Sequence, residues 1–303
     1  MNLEERMFED IKAGKQIGVD IPLEHALLIA SGVRSERRLQ EYLGKLDEIH
    51  RKFQRRYKPK PGTPRALSVA EQLYHFLMKG RKDNDDRFQL NRVIDAFLEG
   101  KDEPLGNCLG LTQFYSVIGM REGLDLNILY YDGRFIHICN VINIGKRKKI
   151  IDLRAYPDLW IVHGDQEVKS SEEPLSDLVK MVYVSKGIIH QDKKRYELAT
   201  RNYNLALLLD PNYHFAINNI GTIKICEARE DREGYKKHYR EAVKHLRKAV
   251  SIWLHEDLAY INLSIVEEAL GHMGNARKYC LLANRYNPTH PSVKRQMRDL
   301  SLA

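Results

Sequence analysis

From about residue 180 onward, the chain repeats a pattern of small and large apolar residues with a period of 34 residues. The last copy, residues 257–290, has the clearest spacing of these residues along two predicted helices. Its marker residues are Tyr260, Leu263, Ser264, Gly271, Ala276, Cys280, Ala283 and Pro288. Small residues let paired helices pack closely, and a proline ends a helix. A helical repeat is therefore the feature that most constrains how this part of the chain folds.

Two earlier copies precede it. Residues 180–213 carry the same markers, at Tyr183, Gly187, His190, Ala199, Tyr203, Ala206 and Pro211. The copy that starts at residue 214 has about nine extra residues before its second helix resumes at Ala242. The pattern resembles the tetratricopeptide repeat, and this resemblance implies stacked helix pairs with a concave groove lined by their first helices. We therefore expect residues 180–303 to form three such repeats and a polar closing helix.

Two sets of residues in the repeats are candidates for binding a peptide. Asn219 and Asn262 share position 6 of their repeats, where the resemblance implies a clamp for an extended peptide backbone. The alternative is a pair of ordinary surface asparagines. Lys237 and Lys244 lie in a basic helix, which would attract an acidic partner or form a solvated face. We expect a protein or peptide partner, and an acidic one fits the charge.

Charge and composition limit the class of protein. The formal net charge is +8, and all of the excess falls in residues 180–303. A second basic run, residues 50–60, contains two aromatic residues but matches no nucleic-acid-binding motif, so nucleic acid is not the expected partner. No apolar run reaches the roughly 20 residues of a membrane span, and the acidic start is unlike a signal peptide. The four scattered cysteines predict a reducing compartment, the cytoplasm.

The residues before the repeats change their hydrophobic period along the chain. Residues 1–57 predict helices, with a stripe at Leu39, Tyr42, Leu43, Leu46, Ile49 and Phe53 and an N-cap at Ser35. A proline-rich connector, residues 58–66, follows, and then two helices that end at glycines. From residue 124 the period becomes two, with a turn signal at Asp132-Gly133, so we expect a three-stranded antiparallel meander.

Cys108 stands at the predicted start of a helix, directly after Gly106-Asn107. Most lone cysteines are buried structural residues. A cysteine in the first turn of a helix, however, meets unpaired N–H groups and the positive end of the helix dipole, which favour the nucleophilic thiolate. Its own backbone N–H could also stabilise an oxyanion.

A thiolate nucleophile needs a base and a group that orients the base. His137 lies within one predicted strand and Asp152 within the next. A turn centred between Ile144 and Gly145 would place the two directly opposite each other on one face of the sheet. A longer or bulged turn would shift this pairing.

The order of cysteine, histidine and aspartate on a helix and two strands resembles the transglutaminase-like (papain-related) superfamily. The resemblance implies that Cys108 is the nucleophile, His137 the base and Asp152 its orienting partner. It also implies an α+β fold with an N-terminal helical region (1–66), a transglutaminase-like cysteine core (67–179) and the repeats. The usual aromatic residue after the histidine is absent here, and the interval between Cys108 and His137 is short.

The resemblance therefore implies an enzyme that acts on protein or peptide amide groups, by hydrolysis or acyl transfer, and that recruits a protein through its repeats. The alternative is an inactive interaction scaffold. Asn107, Asn91 and Gln113 are candidate oxyanion donors, although an amide that caps a helix or binds backbone is the more common role. A metal site of Cys108, His137 and Cys139 would lack a fourth ligand, so we expect no metal and no cofactor.

Overall fold

The computed structural model describes residues 1–81, 86–100, 104–131, 137–145, 147–153 and 170–302. Within these residues the chain is mostly helical, with one small antiparallel sheet. It divides into two compact units, Met1–Val182 and Tyr183–Ala303. The predicted regions 1–66 and 67–179 lie together in the first unit, and the boundary between them stays a prediction.

In the described part of the first unit, helices lead into the sheet. Their bounds are α1 (Leu3–Lys12), α2 (Leu23–Ala30), α3 (Glu36–Arg56), α4 (Arg65–Met78), α5 (Leu90–Glu99) and α6 (Cys108–Arg121). The apolar stripe predicted for α3 is buried, apart from half-buried Leu43. The predicted N-cap is confirmed, because the Ser35 hydroxyl accepts a hydrogen bond from the Arg38 N–H.

The sheet has the strand order β3-β2-β1-β4, and every described pair is antiparallel. Its strands are β1 (Leu126–Tyr131), β2 (His137–Ile144), β3 (Arg147–Ile151) and β4 (Ser170–Glu173). The meander of β1, β2 and β3 is confirmed, whereas the predicted Asp132-Gly133 turn lies outside the described residues. β4 was not predicted, because a short polar edge strand has no apolar alternation to reveal it.

The register of β2 and β3 differs from the expected one by two residues. The ladder pairs Asn140 with Ile151 and Ile144 with Arg147, so the turn centre lies after Gly145 rather than before it. Gly145 adopts a φ of +60°, which a glycine accepts without strain. β3 therefore begins within the charged run that the sequence assigned to the turn. Extending this register places Cys139 opposite Asp152. A shift of two residues keeps every side chain on its face of the sheet. His137 and Asp152 are therefore diagonal neighbours on one face instead of directly opposite each other.

The second unit consists of helices with the spacing of tetratricopeptide repeats. α7 (Asp177–Asp192) spans the division between the units, and among the helices after it α9 packs on α10 and α11 packs on α12. Their bounds are α8 (Tyr196–Leu209), α9 (His214–Glu230), α10 (Tyr235–Ile252), α11 (Asp257–Ala269), α12 (Met273–Tyr286) and α13 (Pro291–Asp299). α13 is the predicted closing helix.

Glycines let the paired helices of this unit approach closely. A Cβ atom at Gly187 would lie 2.3 Å from the Tyr203 ring, and one at Gly221 would lie 2.9 Å from the Leu246 side chain. Tyr203 and Leu246 are both fully buried. Gly187, a marker of the repeat in the sequence, and Gly221, 34 residues later, are thus contact points of their helix pairs.

No described helix combines the length and the apolar character that crossing a bilayer requires.

Replacing Gly187 with alanine should destabilise the second unit. The Tyr203 ring is buried and its hydroxyl donates to Gln191 Oε1 at 2.9 Å. A shift of the ring would therefore disturb both its packing and this hydrogen bond. We expect Gly187→Ala to lower the free energy of unfolding by about 1–3 kcal/mol, the usual effect of overpacking. Urea denaturation followed by circular dichroism measures this change.

Gly274→Ala is the matched control, since Gly274 also lies in a helix of this unit and its Cβ would meet nothing within 4 Å. Its substitution should leave stability unchanged or raise it slightly. Equal stabilities of the two variants would contradict the close packing of α7 on α8.

Candidate functional site

Cys108 is the first residue of α6 and is half-buried. Asn107 precedes it as the N-cap, and its Oδ1 accepts a hydrogen bond from the Gly110 N–H at 3.0 Å. The Asn107 N–H in turn donates to the Arg87 carbonyl at 2.9 Å. The side chain that was a candidate oxyanion donor thus fixes the helix start at which Cys108 lies.

The start of α6 packs directly against the backbone before α5. A Cβ atom at Gly106 or Gly110 would lie 2.9 Å or 2.6 Å from the Arg87 carbonyl oxygen, so both positions require glycine. Gln113 Nε2 donates to the Phe88 carbonyl at 2.8 Å and to the Leu109 carbonyl at 3.1 Å. The amide hydrogens of Gln113 therefore hold this segment in place.

Buried hydrogen bonds join α6 to β2. Thr112 Oγ1 donates to the Ile138 carbonyl at 3.1 Å, and Asn140 Nδ2 donates to Ser116 Oγ at 2.7 Å. Ser116 Oγ completes the set by donating to the Thr112 carbonyl at 2.7 Å. These contacts fix the helix that carries Cys108 on the strand that begins at His137. These hydrogen bonds were not predicted from the sequence. Asn140, a polar residue within an apolar strand, is nevertheless a signal for such a bond.

His137 and Asp152 form a hydrogen-bonded pair, with His137 Nε2 2.7 Å from Asp152 Oδ2. Their side chains are 25% and 14% exposed. The sequence predicted that these two residues meet, and the structure brings them together by the diagonal route described above. Their roles as base and orienting partner stay predictions.

The neighbours of His137 strongly favour its protonated form. Hydrogen bonds with Asp152, Cys108 and Cys139, in that order, raise the pKa of His137 to about 12 against the opposing effect of burial. Cys108 lies within hydrogen-bonding reach of this ring, so all three residues predicted as a triad lie in one place.

Cys139 is a further member of this site. It is 1% exposed, and burial raises the pKa of its thiol. The potential ligand atoms of His137, Cys139 and Asp152 all lie within 4.8 Å of one another. The sequence placed Cys139 on the face of His137 but did not place it beside Asp152.

Asn91, the remaining oxyanion candidate, lies in the first turn of α5 and is half-buried. Its buried Oδ1 has no hydrogen-bond partner among the described residues. The oxyanion role of Asn91, Asn107 and Gln113 stays a prediction.

The candidate peptide-binding residues lie on neighbouring helices of the second unit. Asn219 is half-buried on α9, and Asn262 Nδ2, on α11, donates to Thr222 Oγ1 at 3.0 Å. Lys237 and Lys244 are exposed on α10. The two asparagines thus belong to first helices of repeats and the two lysines to a second helix.

A family model of the tetratricopeptide repeat matches residues 182–213. These residues comprise most of α7 and all of α8, so this helix pair is a tetratricopeptide repeat. The sequence has no significant match among the curated proteins.

Solved structures to which the chain is similar include the tetratricopeptide-repeat domain of OM64 from Arabidopsis, 18% identical, with a TM-score of 0.36; the match covers 40% of this chain and 93% of that one. The first tetratricopeptide-repeat domain of Spaghetti (RPAP3), bound to the HSP90 peptide SRMEEVD, is 18% identical, with a TM-score of 0.35. The match covers 40% of this chain and 90% of that one. Menin, whose structure shows a binding site for the Mixed Lineage Leukemia protein, is 13% identical, with a TM-score of 0.53 over 99% of this chain and 74% of its own. The likeness to menin shows a shared fold. The transglutaminase-like character of the first unit stays a prediction.

Removing the cap of α6 should weaken the site's framework. Asn107→Ala deletes the oxygen that binds the Gly110 N–H, which costs about 1 kcal/mol of stability for a typical N-cap. Asn107→Asp keeps an accepting oxygen and should retain stability close to that of the parent chain. Thermal unfolding of the three proteins measures the difference, and an Asn107→Ala protein as stable as the parent would show that the cap contributes nothing.

Proposed function

We propose that the chain is a protein-interaction protein whose repeats hold an extended segment of a partner protein. The match of a tetratricopeptide-repeat model to residues 182–213 is the observation that carries this proposal. Further helix pairs of the same spacing follow in the second unit, and stacked repeats present extended concave binding surfaces. The same surface would serve an inactive scaffold and an enzyme that recruits its substrate.

Charge supports an acidic partner. Lys237 and Lys244 project into solvent from α10, a second helix that packs on the first helices α9 and α11. They therefore do not line the groove and would act on a partner through long-range charge, and the whole positive excess of the chain falls in residues 180–303. Such a surface attracts acidic segments and speeds their association at low salt. Asn219 on α9 supplies an amide that can donate to and accept from a peptide backbone.

Binding of labelled peptides tests this proposal. Fluorescence anisotropy with a panel of acidic peptides should detect saturable binding that weakens as salt rises. Asn219→Ala should weaken binding about fivefold, the loss of roughly one hydrogen bond. The double variant Lys237→Glu, Lys244→Glu should weaken the binding of acidic peptides more than the binding of peptides in which the acidic residues are replaced by their amides.

Lys278→Glu is the matched control, because Lys278 is an exposed lysine on α12, the second helix of another repeat. It should change binding far less than the α10 double variant. Absence of binding across the panel, or equal effects of the control and the double variant, would contradict an acidic partner at this surface.

A second proposal concerns thiol chemistry at Cys108. The observation that favours it is the joint position of Cys108 at a helix start and within reach of the paired His137 and Asp152. A protonated imidazole beside the thiol and the N-terminus of α6 both stabilise a thiolate. These features support a cysteine-dependent enzyme that acts on amide groups, as the resemblance to the transglutaminase-like superfamily implies.

The residues would share the chemical steps as follows. The Cys108 thiolate attacks an amide carbon, the C–S bond forms, and the backbone N–H of Cys108 binds the oxyanion. His137, oriented by Asp152, gives its proton to the leaving nitrogen as the C–N bond breaks. Water or an amine then attacks the thioester carbon while His137 takes a proton from it, and the C–S bond breaks to release the Cys108 thiolate. Hydrolysis and acyl transfer differ only in that last step.

Cysteine labelling tests this second proposal. Cys108 and Cys226 are both half-buried, so their exposure is matched within one chain. A thiol-directed electrophile at neutral pH should modify Cys108 about tenfold faster than Cys226, because the thiolate is the reactive form. His137→Ala should remove this advantage and leave the rate at Cys226 unchanged. Peptide mass spectrometry measures both rates, and equal slow labelling of the two cysteines in the parent chain would contradict a nucleophilic Cys108.

A further inference from the structure

Cys139 carries a buried thiol that has no role in the chemistry proposed for Cys108. Cys139 is fully buried, its strand neighbour His137 lies on the same face, and Asp152 lies opposite it in the extended β2–β3 register. The potential ligand atoms of these three residues lie within 4.8 Å of one another. A hydrogen-bonded base requires Asp152 but does not require a second thiol beside it.

The three side chains form a donor set with a known preference. A thiolate, an imidazole and a carboxylate suit Zn²⁺, and hard cations such as Mg²⁺ and Ca²⁺ avoid thiolates. The sequence suggested only Cys108, His137 and Cys139 as ligands here, a set that lacks a fourth ligand. The structure supplies that ligand as Asp152, which the sequence assigned only to the orientation of His137.

We propose that His137, Cys139 and Asp152 form a binding site for Zn²⁺. Two of the three ligands come from β2, and the third follows directly after β3, so the sheet itself holds them in place. His137 and Asp152 keep partial exposure, 25% and 14%, and provide the route by which an ion enters. Water completes the coordination of the ion.

The spacing requires only a small adjustment. Ligand atoms around a tetrahedral zinc ion are about 3.3–3.8 Å apart for bonds of about 2.0–2.3 Å. The most separated pair here would therefore move together by about 1 Å. The His137–Asp152 pair, now 2.7 Å apart, would open slightly as the ion enters between the two groups.

A bound ion would block thiol chemistry at this site. It would occupy a ring nitrogen of His137 and take Asp152 away from its orienting contact. Zn²⁺ should therefore slow electrophile labelling of Cys108 at least tenfold. This consequence rests on the proposed chemistry of Cys108, whereas binding of the ion does not.

Metal titration of the purified full-length chain tests the proposal. Equilibrium dialysis should show one tightly bound Zn²⁺ per chain, and Co²⁺ should produce a thiolate-to-cobalt absorption band in the near ultraviolet. Cys139→Ser should abolish that band and weaken Zn²⁺ binding at least tenfold. Asp152→Asn, which keeps the side-chain volume at a partly exposed position, should also weaken Zn²⁺ binding. Cys280→Ser is the control, since Cys280 is equally buried but lies in the repeats, and it should bind both ions as the parent chain does.

The outcomes separate this proposal from the one on Cys108. Absence of stoichiometric Zn²⁺ binding, or equal affinity in Cys139→Ser and the parent chain, would overturn the metal site. Loss of binding in Cys108→Ser with retention in Cys139→Ser would overturn it as well, because the ion would then use other ligands. Equal labelling of Cys108 and Cys226 in metal-free protein contradicts only the nucleophile and leaves the ion-binding result intact.

Discussion

The buried hydrogen bonds between α6 and β2 are the constraint on which the candidate site depends. Thr112 binds the backbone at Ile138, and Ser116 binds Asn140. Thr112 and Ser116 lie one and two turns after Cys108 on the same face of α6, so these bonds also fix the position of Cys108 relative to His137. Each bond is internal to the fold, and leaving one buried partner unsatisfied would cost about 1–3 kcal/mol. The geometry of the site is therefore held by residues that take no part in its chemistry.

The residues of the candidate site could be selected from the sequence because their signals are local. A cysteine after Gly106-Asn107 indicates a helix start, and a charged residue within an apolar strand indicates a partner, here His137 for Asp152. The register of β2 and β3 was harder to predict, because the run after Gly145 is charged, which is typical of a turn. In the structure β3 already begins at Arg147. β4 and the α6–β2 bonds depend on tertiary contacts, which a single sequence does not display. The repeats were easy to recognise because Gly187 and Gly221 mark helix contacts at a fixed spacing.

The two units support different kinds of conclusion. The second unit contains a tetratricopeptide repeat, a class that suggests protein-protein interaction, and the acidic character of the partner is a proposal made from its charge. In the first unit a cysteine, a histidine whose protonated form is favoured and a carboxylate lie together, and the proposed capacities for thiol chemistry and for metal binding both rest on this arrangement. These capacities compete for the same imidazole. A chain that has both would carry a cysteine site whose reactivity depends on the available zinc.

The site as a whole requires that α6 holds Cys108 against the His137 ring. Nuclear Overhauser spectroscopy on protein labelled at cysteine, histidine, threonine and isoleucine measures this contact. We expect cross-peaks between the Cys108 β-protons and the His137 ring protons, together with cross-peaks from Thr112 to Ile138. The Thr112 cross-peaks show that α6 lies on β2 in the sample. Their presence without any contact between Cys108 and His137 would rule out the arrangement of the site described above.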